Sequence, residues 1–309
     1  HVSSSTDPKT GIPIRSLYEG KSGKPSPEVM KEFDVLVFDL QDVGVRFYTY
    51  YVTMVKMMAA CAMEGKEFIV LDRPNPIGFY VDGPILDMQY KSGVGSLPIP
   101  VVHGMTLGEI AYMANESDWL QHGHKDAVGK KVDLKVVKCK NYTHAKLYRL
   151  PIKPSPNLGD MRAIYLYPST CYFEGTPVSL GRGTAKAFQM YGHPNMKGYS
   201  YSFTPRSIPG AKNPPLLDKE CWGVDLTTNP SIEQINADGI NLEYIVDAYT
   251  NLNLGDHFFR KMFELEIGQA YARKMIKEGK SAKEIEAMWV EDVAKFKEER
   301  KPYLLYPEN

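Results

Sequence analysis

Val35-Leu36-Val37-Phe38 and Phe68-Ile69-Val70-Leu71 are short, continuous apolar runs, and the chain between them decides the fold. Each has strand length and is rich in β-branched or aromatic residues. Unbroken apolar character of this kind marks strands buried on both faces. From Tyr50 to Gly65 the intervening chain has few breakers and ends on a glycine suited to stop a helix. Strand, helix, strand is a βαβ unit with a right-handed crossover. Thr106 and Glu109 have capping-box spacing and lead into Ile110 and Met113, after which Leu134 to Val137 reads as a further strand. The first half is therefore an open α/β unit with a mainly parallel sheet.

Outward from this unit the texture changes. Residues 1–25 are polar, with a turn at Asp7-Pro8-Lys9-Thr10-Gly11, and Ser26-Pro27-Glu28 starts a helix with proline at its first position. The chain opens His1-Val2-Ser3-Ser4-Ser5, without initiator methionine or legible signal peptide, as a processed or truncated product would. From Leu150 to Pro215 proline, glycine, tyrosine and serine become frequent and periodicity fades, predicting a loop-rich region with short strands. Helix returns in the tail: Ser281 and Glu284 form a capping box, and Ile285, Met288, Trp289, Val293 and Phe296 trace one face. A length of 309 residues fits two domains. They divide as 1–150, the parallel-sheet unit, and 151–309, a smaller α+β unit ending in helices.

Composition narrows the function. Lys plus Arg is 37 and Asp plus Glu is 37, so the net charge is 37 − 37 = 0, which argues against a nucleic-acid partner. No run is long and apolar enough for a membrane span. Cys61, Cys139, Cys171 and Cys221 lie far apart without a C-x-x-C pair, so no zinc or redox motif is legible; Cys61 reads as core. Phosphate-loop, G-x-G-x-x-G, G-x-S-x-G and H-E-x-x-H patterns are all missing. The chemistry falls to carboxylates, arginine, histidine and asparagine, and paired carboxylates are the usual apparatus of glycoside hydrolysis.

Parallel strands bring their carboxyl ends to one sheet edge, where ligands of open α/β sheets bind. Asp42 and Arg46 follow the first strand; Asp72 and Asn75 follow the second, with Asn75 made rigid by Pro74 and Pro76. Asp39 and Asp72 can equally pair with Arg46 and Arg73 as a structural network. His103, just before a helix, is a candidate proton carrier or a structural residue. His122-Gly123-His124 reads as a turn rather than a metal pair. Glu174 follows Cys171-Tyr172-Phe173, and a carboxyl beside aromatics suits a general acid. Arg182 between Gly181 and Gly183 suits a ligand carboxylate. Glu174 and Arg182 can also pair with each other across a tight loop.

Several strings together resemble a known family. They are Asp39-Leu40-Gln41-Asp42-Val43-Gly44-Val45-Arg46-Phe47-Tyr48-Thr49-Tyr50, Leu71-Asp72-Arg73-Pro74-Asn75-Pro76-Ile77-Gly78, Pro98-Ile99-Pro100-Val101-Val102-His103-Gly104-Met105-Thr106, Pro154-Ser155-Pro156-Asn157, Phe173-Glu174-Gly175-Thr176, Gly181-Arg182-Gly183-Thr184 and Arg300-Lys301-Pro302-Tyr303-Leu304-Leu305-Tyr306. In order, they resemble the NamZ-type exo-β-N-acetylmuramidases, once a domain of unknown function. The resemblance implies a Rossmann-like domain paired with a smaller α/β domain, an active site between them, and release of N-acetylmuramic acid from non-reducing ends of peptidoglycan fragments. It implies export to a periplasm or cell surface, and no metal or nucleotide cofactor. Family members carry an earlier Gly-Pro-Glu-His-Gly segment whose glutamate is a leading catalytic candidate; here it would fall upstream of residue 1, with the first strands of the sheet. On this basis Glu174 protonates the leaving group or orients the acetamido group. Asp42 and Asp72 bind hydroxyls or position water, and His103 assists. Asn75 and Asn157 read the sugar amide and hydroxyls. Arg182 and then Arg46 are the choices for the lactyl carboxylate, and Tyr48 and Tyr172 for stacking on the ring. A non-catalytic carbohydrate-binding protein using the same cleft is the alternative, and a nucleotide-sugar enzyme rests on the fold alone.

Overall fold

The two apolar runs pair as parallel strands in the computed structural model, which describes residues 3–17 and 25–309. Val35–Phe38 lies beside Glu67–Leu71 with Leu36 opposite Phe68, and Asp133–Val137 pairs on the far side with Leu134 opposite Phe68. Helix Tyr50–Glu64 links the first two strands and ends where Gly65 turns left-handed at φ 65°. Helix Leu107–Glu116 precedes the third strand. Its capping box is complete: the Thr106 hydroxyl accepts from the Glu109 N–H, and the Glu109 carboxylate accepts from the Thr106 N–H.

One expectation needs correction. Among the described residues, Val35–Phe38 and Glu67–Leu71 are covered on one face only. Leu36, Phe38, Phe68 and Val70 pack with both helices in a single core. The other face presents Val35, Val37, Ile69, Leu71 and Val137, with Val37 53% and Val137 56% exposed. Both helices stack on the same side, and a continuous apolar run does not reveal how many layers its sheet will have.

The stretch 150–215 is loop-rich, but it holds a helix that the fading periodicity concealed. Met161–Thr170 starts at Asp160, whose carboxylate accepts from the Ala163 N–H at 3.0 Å. It carries Pro168 within its last turn and tightens into the 3-10 turn Cys171–Gly175. Beyond it, Met190–His193, Cys221–Asp225 and Tyr201–Phe203 form a small antiparallel sheet with Cys221–Asp225 in the middle. The tail follows as short helices. The predicted stripe holds for Ile285, Trp289 and Phe296, but Met288 is 51% exposed. The helix is broken there by the 3-10 turn Ala287–Trp289, which shifts the phase of everything after it.

The fold is thus α/β, a parallel sheet followed by helices and an antiparallel sheet. Its main core crosses the middle of the sequence: Val43, Val45, Phe47, Ile77, Val101 and Val102 pack with residues between Leu158 and Trp289. The loop after the first strand is embedded in the second half, and this sets Tyr48 against Tyr167 of helix Met161–Thr170. All four cysteines are free, and Cys61 is buried in the core as expected.

Candidate active site

Asp42 sits where the first strand turns into the shared core. Its Oδ1 accepts the Gly44 N–H at 2.7 Å, and its Oδ2 is buried without a partner. Burial pushes its carboxyl from 3.8 up to about 7, against the pull of the Gly44 and Val43 N–H groups. Tyr48 lies within reach of its charge. The Tyr48 hydroxyl donates to the Pro154 carbonyl at 2.7 Å, and its ring meets Tyr50 and Tyr167 edge-on at 5.1 and 6.3 Å.

Tyr167 begins the other wall. Tyr167, Cys171 and Glu174 follow one another at spacings of four and three, so they share a face of the helix and the turn that prolongs it. Arg182 donates to a single Glu174 oxygen, Oε1, through Nε at 3.1 Å and Nη2 at 2.5 Å. The guanidinium lies over the Phe188 ring, 5.1 Å from its centroid. Both side chains are about 30% exposed, Arg182 30% and Glu174 31%.

Beneath this pair is a carboxyl the sequence reading missed. Glu266, on helix Lys261–Ile267, is buried, and one oxygen each from Glu174 and Glu266 and the Cys171 sulfur lie within 4.8 Å of one another. Burial first, then the Glu174 charge, holds the Glu266 carboxyl well above the usual range, and burial holds the Cys171 thiol up as well. Gly175 permits the arrangement: a side chain there would overlap the backbone of Phe263, one turn before Glu266. The signal was in the sequence. Phe259, Phe263 and Ile267 mark a core-facing stripe, and Glu266 stands within it.

Other predicted residues are placed elsewhere. Asp72 is saturated: Oδ2 accepts from the Thr106 and Tyr306 hydroxyls at 2.7 Å each, and Oδ1 from the Gly108 and Arg73 N–H groups. Asn75 donates to the Met105 carbonyl and accepts from the Ile77 N–H, both at 2.9 Å. Asn157 donates to the Gly210 carbonyl. Arg46 is fully buried, with its guanidinium on the carbonyls of Pro84, Ile99, Glu266 and Ile267. It does not fit the part of a lactyl-binding cation. His103 accepts from the Met105 N–H through Nδ1; burial drives its pKa down to about 3, which favours the neutral imidazole and makes it a poor proton donor. Tyr172 is fully buried and offers no ring to a sugar. The network reading was correct for Asp39, which pairs with Arg73 at 2.7 Å.

Cys171, Glu174 and Glu266 are the one group of three metal-type donors among the described residues. They do not suit a cation: Arg182 already occupies Glu174, and burial makes the other two donors hold a proton more tightly. A groove of about 590 Å³ runs along the start of helix Met161–Thr170, lined by Arg149, Ile152, Lys153, Arg162 and Tyr165. It contains neither Glu174 nor Asp42.

Comparison with known proteins shows the family. The model of the N-terminal part of exo-β-N-acetylmuramidase NamZ matches residues 1–162, and that of the C-terminal part matches 165–306. The peptidoglycan β-N-acetylmuramidase NamZ of Bacillus subtilis is 38% identical, over 99% of this chain and 75% of its own length. Two DUF1343 family proteins of Bacteroides fragilis have similar crystal structures. One is 62% identical with a TM-score of 0.92, the other 28% identical with 0.77; each comparison covers 98% of this chain and 82% of the other. The chain belongs to the NamZ family of exo-β-N-acetylmuramidases.

Proposed function

We propose that this protein hydrolyses the glycosidic bond of a terminal β-linked N-acetylmuramic acid in peptidoglycan fragments. The observation that carries the reading is the pair of unlike carboxyls on one aromatic wall. Asp42 flanks Tyr48 on one side, and Glu174 flanks Tyr167 on the other. Unlike environments separate an acid from a base. Asp42, titrating near 7 with a free Oδ2, is the proton donor to the departing oxygen. Glu174, gripped through Oε1 by Arg182, presents Oε2 to the anomeric side as acceptor or electrostatic partner. This reverses the acid role first read for Glu174, because a carboxylate paired with guanidinium is an acceptor. Arg182 keeps Nη1 for the lactyl carboxylate that distinguishes muramic acid from glucosamine.

The same reading makes the parallel-sheet unit Rossmann-like, divides the chain near residue 150, and places the protein at the cell surface or in a periplasm, where the polymer lies. Turnover of an aryl β-N-acetylmuramide tests it. Wild type should release the aryl alcohol, and E174Q should lose about 100- to 10,000-fold in kcat/KM while keeping its Tm. Binding of the sugar without release would instead make the cleft a carbohydrate-binding module.

A further inference from the structure

Glu266 has a buried oxygen, Oε2, without a partner, and its Oε1 is 3.8 Å from the Cys171 sulfur. Its backbone is pinned: Arg46 binds the Glu266 and Ile267 carbonyls at 2.8 and 2.9 Å, and helix Lys261–Ile267 abuts Gly175. The side chain has little freedom to leave. The groups facing it are Tyr167, Cys171, Tyr172, Glu174 and Arg182, with Arg46 at its carbonyl. Arg182 is the one free-standing guanidinium among them, and it acts on both carboxyls. Two carboxyls this close, with one cation bound to Glu174, disfavour a second negative charge on Glu266.

We propose that Glu266 is a positioning residue: as a neutral acid it leaves Arg182 to Glu174, and on losing its proton it competes for that guanidinium and slackens the Glu174–Arg182 pair. The idea rests on the reading of Glu174 given above. Only a proton moves, from the Glu266 carboxyl to solvent base. The buried oxygen with no partner is what a carboxyl held in reserve looks like. A carboxyl serving packing alone would find donors for both oxygens.

The test is the pH profile of kcat/KM on an aryl β-N-acetylmuramide. Its activated leaving group needs little protonation, so the Asp42 titration is muted. The ratio of E266Q to wild type should rise about tenfold from acidic to alkaline pH, because the variant has no proton to lose. Parallel profiles, with E266Q melting like wild type, would overturn the proposal. NMR of carbon-labelled glutamate supplies the second measurement if E266Q does not fold. One carboxyl should titrate well above the usual range in wild type, and its midpoint should fall in E174Q. A midpoint indifferent to E174Q would overturn the coupling. Full activity in E174Q would remove Glu174 from the chemistry, and the same NMR shift would still report whether the two carboxyls are coupled.

Discussion

Asp42 and Asp72 stand at the carboxyl ends of adjacent parallel strands, and both are desolvated enough to raise their pKa. They differ in donors. Asp72 receives two hydroxyls and two backbone N–H groups, whereas Asp42 receives a backbone N–H on one oxygen and nothing on the other. Position at the sheet edge therefore does not distinguish a reacting acid from a strut. On the proposed function the count of donors does, because each one fixes the carboxylate in place and leaves it less to offer a substrate. Arg46 and Arg182 repeat the contrast among cations, one closed by four carbonyls and the other held from one side.

The sharpest way to break this comparison is D42N. It should lower kcat/KM for an unactivated disaccharide by about 100- to 10,000-fold, with much less loss on an aryl substrate; equal loss on both would deny Asp42 the acid role. The same variant has a signature in stability. Folding raises this pKa from 3.8 to about 7, so the folded protein holds the proton more tightly than the unfolded chain. The contribution is whole below pH about 4 and is lost as pH climbs to about 7, at most roughly 4 kcal/mol. The Tm of D42N relative to wild type should climb over that window, as read by calorimetry from pH 4 to pH 8. Next in size is R46A, which strands four buried carbonyls and should lower unfolding free energy by roughly 3 kcal/mol in urea titrations. D72A should cost about 2 kcal/mol while the folded fraction keeps its kcat. A kcat that collapses with D72A would merge the two aspartates into one class. Smallest is V37K on the bare sheet face: stability within about 0.5 kcal/mol, and less self-association by light scattering.

The parallel sheet was legible because length and breakers bracket each element, and the capping boxes at Thr106 and Ser281 follow from side-chain chemistry that acts within four residues. Helix Met161–Thr170 was hidden because Pro168 argues locally against helix, while burial of Tyr165, Leu166 and Tyr167 overrides it. For the site, residue types were read better than allegiances. Glu174 and Arg182 were singled out, and they meet; Gly181 and Gly183, read as room for a ligand, adopt φ near 83° to turn the backbone and abut Met190 and Pro214. Which carboxyl would be saturated depended on Tyr306, 234 residues from Asp72, and no local pattern carries that information.

Arg46 bears on how the two halves of the chain hold together. A guanidinium that links Pro84 and Ile99 on one side to Glu266 and Ile267 on the other acts as a rivet through the floor of the molecule. Swinging the two sides apart would strand that charge in the interior, so the segments around Pro84 and Ile99 and the end of helix Lys261–Ile267 are held to move as one body.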